Sequence, residues 1–304
     1  MPTHATYKYP AVNIDQLLNQ GGGVLTIPLQ RNALISKYRI VVVLGSLSGG
    51  SSPSWTVSAS NPIIQNVQVV ADNNTIIQMD TDMLQELNKL FEHTQPNGLI
   101  FDIPMADYTV DNIEIPGTEF PSYAYINNNL LLKIPPLSQV TSGSPTASSG
   151  TTVYLVEEQY LKNPGALVMV KKIQNVATLG ITGDNYLVPS PFLTVDGLYK
   201  MVLYQFSQNG QLSDNLVNYI KTELNGNITL SDEYYSSLKA KDQSIFRQPL
   251  DPGYVADVYM PHVDVRDLLP LLNPNEITSV KQVFNTTTSP VQVKAVKIEY
   301  MLNW

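Results

Sequence analysis

The chain has no cysteine and few charged residues. Of its 304 residues, 14% are Asp, Glu, Lys or Arg, and three are histidine. The absence of cysteine excludes a disulfide scaffold, a thiolate zinc site and a cysteine nucleophile. The longest unbroken aliphatic run, residues 40–44, is far shorter than the ~20 residues that a membrane-spanning helix needs. Residues 1–10 also lack the charged and then apolar pattern of a signal peptide.

The excess of acidic side chains limits the partners that the chain can have. With 26 acidic and 18 basic side chains, the formal net charge is −8. Direct binding of nucleic acid is not expected, because phosphate contacts need clustered Lys and Arg. Asn, Gln, Ser and Thr make up most of the polar residues. They suit a surface that meets other proteins closely, since interface cores are depleted of charge, but they are equally typical of a β-rich protein with polar loops.

Alternating apolar residues predict strands along most of the chain. Leu25, Ile27 and Leu29 alternate with Thr26 and Pro28. Further strand patterns lie at residues 37–44, 130–134, 153–156, 256–260 and 291–300. In the last of these the apolar phase shifts by one after Ala295, which indicates a β-bulge. Turn residues separate the runs throughout, and this pattern predicts an all-β sandwich or barrel.

Helical patterns are few and short. One helix face carries Met83, Leu84, Leu87, Leu90 and Phe91. Asp80 is placed to cap that helix, and Asp82 lies in its first turn. Two shorter helices are predicted at residues 13–20, where three glycines follow, and at residues 264–269.

Two segments are predicted to be long exposed loops. Residues 45–60 are rich in Ser and Gly, and 12 of the 15 residues at 138–152 are Ser, Thr, Gly or Pro. The second loop, or the turn at residues 163–165, is a candidate domain boundary. The predicted organisation is an N-terminal arm at residues 1–20 and two domains at residues 21–162 and 163–304.

An internal repeat is the most informative feature of the sequence. Residues 67–70 lead into the turn Asn73-Asn74, a short strand and the helix after Asp80. Residues 219–222 lead into Asn225-Gly226, 152 positions later, a short strand and a helix expected after Ser231. The helix faces match at a separation of 151, with Tyr234, Tyr235 and Leu238 as the second core face. Residues 216–224 also fit a helix capped by Ser213, but the repeat favours a strand.

The same order of elements recurs in each half of the chain. Residues 101–105 and 256–260 echo one another as well. We therefore predict an all-β protein with a few short helices, built as two tandem eight-stranded jelly rolls, a double jelly roll.

The search for catalytic and metal-binding residues gives no constellation. His4, His93 and His262 have no His, Asp or Glu at metal-ligand spacing on a helix. Asp80 and Asp82 could hold a divalent ion, although helix capping is the simpler interpretation. We therefore predict no catalytic residue, no cofactor-binding residue, no metal site and no cofactor, and hence no enzyme.

Two short matches to serine β-lactamases are interpreted as chance. Ser236-Ser237-Leu238-Lys239 matches the first motif, and Ser213-Asp214-Asn215 matches the second. Their order is reversed, and the third motif is absent, since Lys221-Thr222-Glu223 stands where Lys-Thr-Gly is needed.

The repeated unit resembles a known family. Residues 66–90, their repeat at 218–238, and the closing strand 296–301 followed by Trp304 are similar to the double jelly-roll major capsid proteins of tailless icosahedral viruses with an internal membrane. This lineage includes adenovirus hexon, and the nearest resemblance is to the corticoviruses and finnlakeviruses, which infect bacteria. The resemblance implies a homotrimer with a pseudo-hexagonal outline that tiles an icosahedral shell.

The resemblance also implies partners and a location. The expected partners are the chain itself, neighbouring trimers, minor capsid and vertex proteins, and, peripherally, an internal lipid membrane. The expected location is the capsid shell of a virion, after synthesis in the host cytoplasm. Residues 1–20 would lie beneath the barrels near that membrane, with Tyr7, Lys8 and Tyr9 at the lipid interface, and no segment opening the second barrel corresponds to them.

Two other classes of function are open at this stage. A tandem β-sandwich that binds carbohydrate or a receptor would carry exposed Trp and Tyr on one loop face. The chain has only two tryptophans for such a face, Trp55 and Trp304. A hydrolase on a β-scaffold would need a converging acid and base.

Overall fold

The computed structural model describes residues 4–92, 95–108, 114–115, 118–160, 169–181, 184–187, 190, 192–193, 198–259, 278–288 and 290–302. The chain divides into two compact units, the first mainly up to residue 171 and the second mainly at residues 172–301. The predicted helix at 264–269 and the turn at 163–165 lie outside the described residues. The predicted domain boundary between residues 162 and 163 stays a prediction.

The first unit consists mainly of antiparallel strands. Its strands and helices are β1 (His4–Lys8), β2 (Val12–Asn13), α1 (Asp15–Asn19), β3 (Gly23–Pro28), β4 (Leu34–Val43), β5 (Ser46–Ser48), β6 (Ser54–Trp55), β7 (Asn66–Ala71), β8 (Asn74–Asp80), α2 (Thr81–Phe91), β9 (Ile100–Pro104), β10 (Asp107–Tyr108), β11 (Glu114–Ile115), β12 (Phe120–Pro121), β13 (Asn128–Ile134), β14 (Thr141–Ser142), β15 (Ala147–Ser149) and β16 (Thr152–Tyr160).

Eight strands, four in each of two sheets, form the frame of the first unit. One has the order β1-β16-β4-β9, and the other has the order β8-β7-β13-β3. When these eight strands are counted from one to eight along the chain, the sheets read 1-8-3-6 and 5-4-7-2. This strand order defines a jelly roll, so the predicted fold of the first half is confirmed.

The second unit repeats the arrangement. Its elements, apart from the extreme ends of the first and last strands, are β17 (Met169–Ile181), β18 (Asp184–Leu187), β19 (Leu198–Gln208), β20 (Gln211–Leu212), β21 (Val217–Leu224), β22 (Ile228–Tyr234), α3 (Tyr235–Phe246), β23 (Tyr254–Val258), β24 (Val280–Thr286) and β25 (Val291–Leu302). The sheets β17-β25-β19-β23 and β22-β21-β24-β18 again read 1-8-3-6 and 5-4-7-2. The chain therefore contains two jelly rolls in tandem.

The repeat is present, but its spacing differs from the predicted one. The elements β8, α2 and β9 correspond to β22, α3 and β23, and each pair of strands and the two helix starts lie 154 residues apart. The predicted separations of 151 and 152 are wrong for these elements. Ser231 lies inside strand β22 and does not cap a helix, since α3 begins at Tyr235 with Tyr234 as its N-cap residue. Residues 217–224 form a strand, as the repeat predicted.

The tyrosine pair at the start of α3 is only half buried. Tyr235 is buried in the core, but Tyr234 is 70% exposed. The prediction that both residues belong to the core face is wrong for Tyr234, because it still belongs to the strand, where neighbouring side chains point to opposite faces.

The two cores differ in composition. In the second jelly roll the rings of Phe192, Tyr204, Phe206 and Phe284 pack against one another with centroids 5.5–6.2 Å apart. The first jelly roll is filled mainly by Ile, Leu and Val from both sheets and by the buried residues of α2. Aromatic pairs of this geometry add to the stability that burial of their area provides.

No bulge interrupts the pairing of the last strand with β19 at the predicted phase shift. Ala295 and Val296 are both fully buried, so the strand is covered on both faces at this point, and beyond it the alternation of buried residues resumes with its phase shifted by one. Pairing with β19 continues unbroken past these residues, and the register shift falls on the partner strand, between Tyr199 and Met201.

The two predicted loops pair with each other. Strand β5 pairs with β15, and β6 pairs with β14, so residues 45–60 and 138–152 form short ribbons inside the first unit. Gly50, with φ of 71°, shows why glycine is needed here: a Cβ at this position would lie 2.1 Å from the carbonyl oxygen of Gly143. The Ser- and Gly-rich composition of the two segments therefore reflects the close contact between their backbones.

Candidate functional site

The lysine of the β-lactamase-like match is fully engaged in local structure. Lys239 Nζ donates to the carbonyl oxygens of Leu250 and Asp251, at 3.0 and 2.8 Å, and lies 3.2 Å from Asp214 Oδ1. The same carboxylate oxygen accepts hydrogen bonds from the Tyr235 hydroxyl and the Gly253 amide. Although burial opposes it, these donors hold the pKa of Asp214 below its ordinary value. The cluster ties α3 to the turn before β23, and Lys239 is not placed to act as a base.

The aspartates at the start of α2 act locally as well. Asp80 is the N-cap residue by position, as predicted, but its side chain makes no capping bond. Asp80 Oδ1 instead accepts a hydrogen bond from Asn66 Nδ2 at 2.8 Å, while Asp82 Oδ1 accepts one from the Met83 amide. Among the described residues, no three His, Cys, Asp or Glu side chains are grouped so that they could hold a metal ion.

The histidines add no site to this part of the chain. His4 lies in strand β1, and His93 and His262 lie outside the described residues. The sequence predicts no set of metal ligands, so there is no predicted ligand set to locate in the structure.

The N-terminal segment is part of the first jelly roll. Strand β1 pairs with β16 from His4–Tyr160 to Lys8–Val156, and Ile14 and Leu18 are fully buried. The prediction of a separate peripheral arm is wrong for residues 4–20, because β1 is the first of the eight barrel strands. The prediction that nothing in the second barrel corresponds to it is also wrong, since β17 lies beside β25 in the same way.

A short helix is predicted correctly within this segment. Helix α1 covers Asp15–Asn19, and Asp15 accepts hydrogen bonds from Ser148 Oγ, at 2.7 Å, and from the amides of Gly150 and Thr151. Burial acts in the opposite direction, but these bonds and one from Asn13 keep the pKa of Asp15 below its ordinary value. Asp15 thereby joins the N-terminal segment to the turn that opens β16.

A partly buried polar contact also joins the segment that follows β1 to β16, the last strand of this jelly roll. The Tyr9 hydroxyl donates to Glu157 Oε2 at 2.5 Å and accepts from the Gln30 amide at 2.8 Å, while Gln159 donates to the other oxygen of Glu157. Burial raises the pKa of both Tyr9 and Glu157. Because the hydroxyl is occupied on both sides, Tyr9 is not available at a lipid interface.

In the described parts of the chain, the exposed aromatic residues do not form the group on one loop face that a sugar-binding module is expected to carry. Trp55 is partly buried, and its indole donates to the carbonyl oxygen of Gly45 at 2.9 Å. In the first unit Tyr7 and Tyr154 lie on sheet strands, and Tyr123 lies in a helical turn at Ser122–Ala124. Trp304 lies outside the described residues. The alternative of a carbohydrate-binding module therefore gains no support.

The described helices give no candidate for a membrane span. Helix α3, with 12 residues, is the longest of the three, and none is both long and apolar enough to cross a bilayer.

Solved structures with a similar fold are viral capsid proteins. The chain is similar to the major capsid protein of Sulfolobus turreted icosahedral virus, with 13% identity and a TM-score of 0.72 over 99% of this chain and 98% of that chain. It is similar to the major capsid protein P2 of bacteriophage PM2, with 11% identity and a TM-score of 0.67 over 99% and 98%. The PBCV-1 virus capsid gives 11% and 0.64 over 99% and 94%.

Sequence comparison adds no relative. No protein-family model matches the chain, and a search of curated proteins gives no significant match. At identities of 11–13% the structural similarity establishes the fold, and the chain accordingly has the double jelly-roll fold found in these capsid proteins.

Proposed function

We propose that the chain is the major capsid protein of a virus and that its role in the virion shell is structural, without catalysis. The observation that carries this proposal is the strand order 1-8-3-6 and 5-4-7-2 in both units, in a chain that is similar over 99% of its length to three viral capsid proteins. The functional residues are then those that hold the two barrels in shape and those that contact other subunits.

The proposed assembly is a homotrimer. Two similar jelly rolls per chain give six in a trimer, and six similar units around a threefold axis produce the pseudo-hexagonal outline that packs efficiently in a closed shell. Within such a shell the chain contacts its own copies, neighbouring trimers, and minor capsid and vertex proteins. Its net charge of −8 favours a position away from direct contact with nucleic acid.

The proposed shell surrounds an internal membrane, as the resemblance to tailless bacteriophages implies. Tyr9, Ile14 and Leu18 are engaged within the first jelly roll, so they are unsuited to lipid contact. Tyr7 and Lys8 keep exposed side chains on β1 and are the candidates for a peripheral contact, since aromatic and Lys side chains suit a lipid interface.

Light scattering of the purified chain tests the trimer directly. We expect a mass about three times the 33.6 kDa of one chain, and negative-stain micrographs should show particles with a six-sided outline. A mass of one chain at all concentrations, with no assembly under any condition, would contradict a capsid role. Micrographs of particles from the natural source would decide whether the shell encloses a membrane.

A further inference from the structure

One position in each helix makes the same kind of contact with the following strand. Asn88 is the eighth residue of α2, and Asp242 is the eighth residue of α3. Each lies 14 positions before the strand residue that it contacts, which is Asp102 in β9 and Ala256 in β23. The sequence repeat as predicted missed this pair because it was aligned at 151 and not at 154.

In the first jelly roll the contact is a double hydrogen bond. Asn88 Nδ2 donates to the carbonyl oxygen of Asp102 at 2.6 Å, and Asn88 Oδ1 accepts from the Asp102 amide at 2.9 Å. Both backbone groups of Asp102 are directed at the helix, because Asp102 faces Arg39 at a non-hydrogen-bonded position of the β4–β9 pair. The amide side chain has one donor and one acceptor, which matches the two backbone groups.

In the second jelly roll only half of this contact is made. Asp242 Oδ2 accepts from the Ala256 amide at 2.8 Å, but Asp242 Oδ1 is buried with no hydrogen-bond partner. Ala256 faces Leu203 at a non-hydrogen-bonded position of the β19–β23 pair, so its carbonyl oxygen is directed away from β19, as that of Asp102 is directed away from β4. An ionised carboxylate has no proton to donate to this oxygen, whereas a neutral acid does.

The charged groups around Asp242 are engaged with other partners. On α3 itself, Lys239 is held by Asp214 and two carbonyl oxygens, and Lys241 Nζ lies 2.8 Å from Glu233 Oε1 of β22. On β23, Asp257 Oδ2 accepts from Ser231 and Tyr259. Strand β21 contributes Ile220 and Leu224 to the core shared with α3, and neither side chain titrates.

These surroundings favour the neutral form of Asp242. Asp242 is completely buried, and this burial raises its pKa to about 7. The negative charge of Asp257 also raises the pKa, while the hydrogen bond from Ala256 and the positive charges of Lys239 and Lys241 lower it. Burial raises the pKa of Asp257 as well.

We propose that Asp242 makes a pH-sensitive contact between α3 and β23 in the second jelly roll. As the neutral acid it donates a hydrogen bond from Oδ1 to the carbonyl oxygen of Ala256, and so completes the double contact that Asn88 makes in the first jelly roll. When Asp242 ionises, this hydrogen bond is lost and β23 is held less firmly to α3. This inference concerns the fold and does not depend on the proposed capsid function.

The sign of the pH effect follows from linkage. The pKa of Asp242 is raised in the folded state, so the folded protein holds the proton more tightly than the unfolded chain does. The stability that this group contributes is complete below the unfolded pKa, which is about 4, and is lost as the pH rises towards 7.

Hydrogen exchange of residues 254–258 measures the contact in the full-length protein, after correction for the intrinsic pH dependence of exchange. Asp242→Asn supplies a permanent donor and should retain its protection at all pH values. Between pH 5 and 7.5 we expect the ratio of variant to wild-type protection to rise by at least about tenfold, since one proton of linkage corresponds to tenfold per pH unit. A ratio that stays constant within about twofold would overturn the proposal.

Two further variants keep the test decisive. Asn88→Asp places the acid in the first jelly roll, so protection of residues 100–104 should fall at pH 7.5 and recover at pH 5. Asp232→Asn removes a half-exposed carboxylate of β22 and changes the net charge equally, so it should leave both segments as in the wild type. An Asn88→Asp variant with equal loss at both pH values would also overturn the proposal.

Discussion

At the scale of single residues, Asp102 is the buried charge on which the first jelly roll depends most clearly. Its carboxylate is fully buried and accepts two hydrogen bonds from Arg39, from Nε to Oδ1 at 2.6 Å and from Nη2 to Oδ2 at 2.8 Å. Its backbone is held by Asn88 at the same time. The hydrogen bond to Asp102 raises the pKa of Arg39 further, so the guanidinium keeps its positive charge. A paired carboxylate of this kind tolerates burial only while its partner is present.

Replacement of Arg39 by alanine should therefore be costly. Arg39→Ala leaves the Asp102 carboxylate buried without its cation, and we expect the free energy of unfolding of the first jelly roll to fall by about 2–4 kcal/mol. Chemical denaturation measures the change. Lys8→Ala removes the same charge from an exposed position and should change stability by less than about 0.5 kcal/mol. Equal effects of the two substitutions would show that the Arg39 ion pair is unimportant.

Residue identity alone could not predict these roles. Asp80 follows the rule for capping residues, yet its side chain turns to Asn66, which lies across the β7–β8 hairpin. Lys239 matches a catalytic motif, yet it bonds to carbonyl oxygens that a turn 11 residues later brings to it. In both positions the partner is decided by tertiary folding, which local propensity does not contain.

At the scale of elements, the sequence predicts the strands with one buried face well. The alternation at Leu25, Ile27 and Leu29 corresponds to β3 and the residue after it, and the stripe after Asp80 corresponds to α2. Prediction fails where a strand is covered on both faces, as at Ala295, and where short strands pair over a long separation, as β5 and β15 do. Apolar periodicity does not report either situation.

The N-terminal strand provides a test at this scale. Deletion of residues 1–20 removes β1, the contact of Tyr9 with Glu157, and the buried residues Ile14 and Leu18. It also exposes the edge of β16, which is an aggregation hazard. We expect the truncated chain to be largely insoluble or to unfold at a clearly lower urea concentration than the full chain.

A shorter truncation serves as the control for this deletion. Removal of residues 1–3 stops before β1 and should leave the urea midpoint unchanged. If the chain without residues 1–20 were as soluble and as stable as the full chain, the segment would be a peripheral arm after all, and its role as a barrel strand would be refuted.

At the scale of the whole molecule, the duplication is the feature that sequence could predict only in outline. The repeat of strand, turn, strand and helix was recognisable because Asn-rich turns and apolar stripes survive at corresponding places. The turn residues Asp72 and Asn225 even bond in the same way, each accepting from two successive backbone amides, at residues 126–127 and 278–279. The exact spacing could not be predicted, because the cores are filled differently and α3 has few apolar residues on its face.

The charge of the whole chain leads to a prediction about assembly. Each copy carries a formal charge of −8, and only 14% of the residues are charged, so contacts between copies are expected to rely on uncharged polar and apolar groups. Like charge then opposes association at long range, and salt screens this repulsion, with a Debye length that falls from about 10 Å at 0.1 M to about 3 Å at 1 M.

We therefore expect the purified protein to assemble into larger particles more readily as the sodium chloride concentration rises from about 0.05 to 0.5 M, as measured by light scattering. Asp232→Asn removes one exposed negative charge and should shift the transition to lower salt. Lys8→Glu replaces a positive charge by a negative one, which makes the net charge more negative by two, and should shift the transition to higher salt. A neutral osmolyte at equal osmolality serves as the control. It is excluded from the protein surface but screens no charge, so it should not reproduce the effect of salt if screening is the cause. Dissociation of assemblies by added salt would mean that opposite charges hold the copies together, contrary to the uncharged interface argued from the composition.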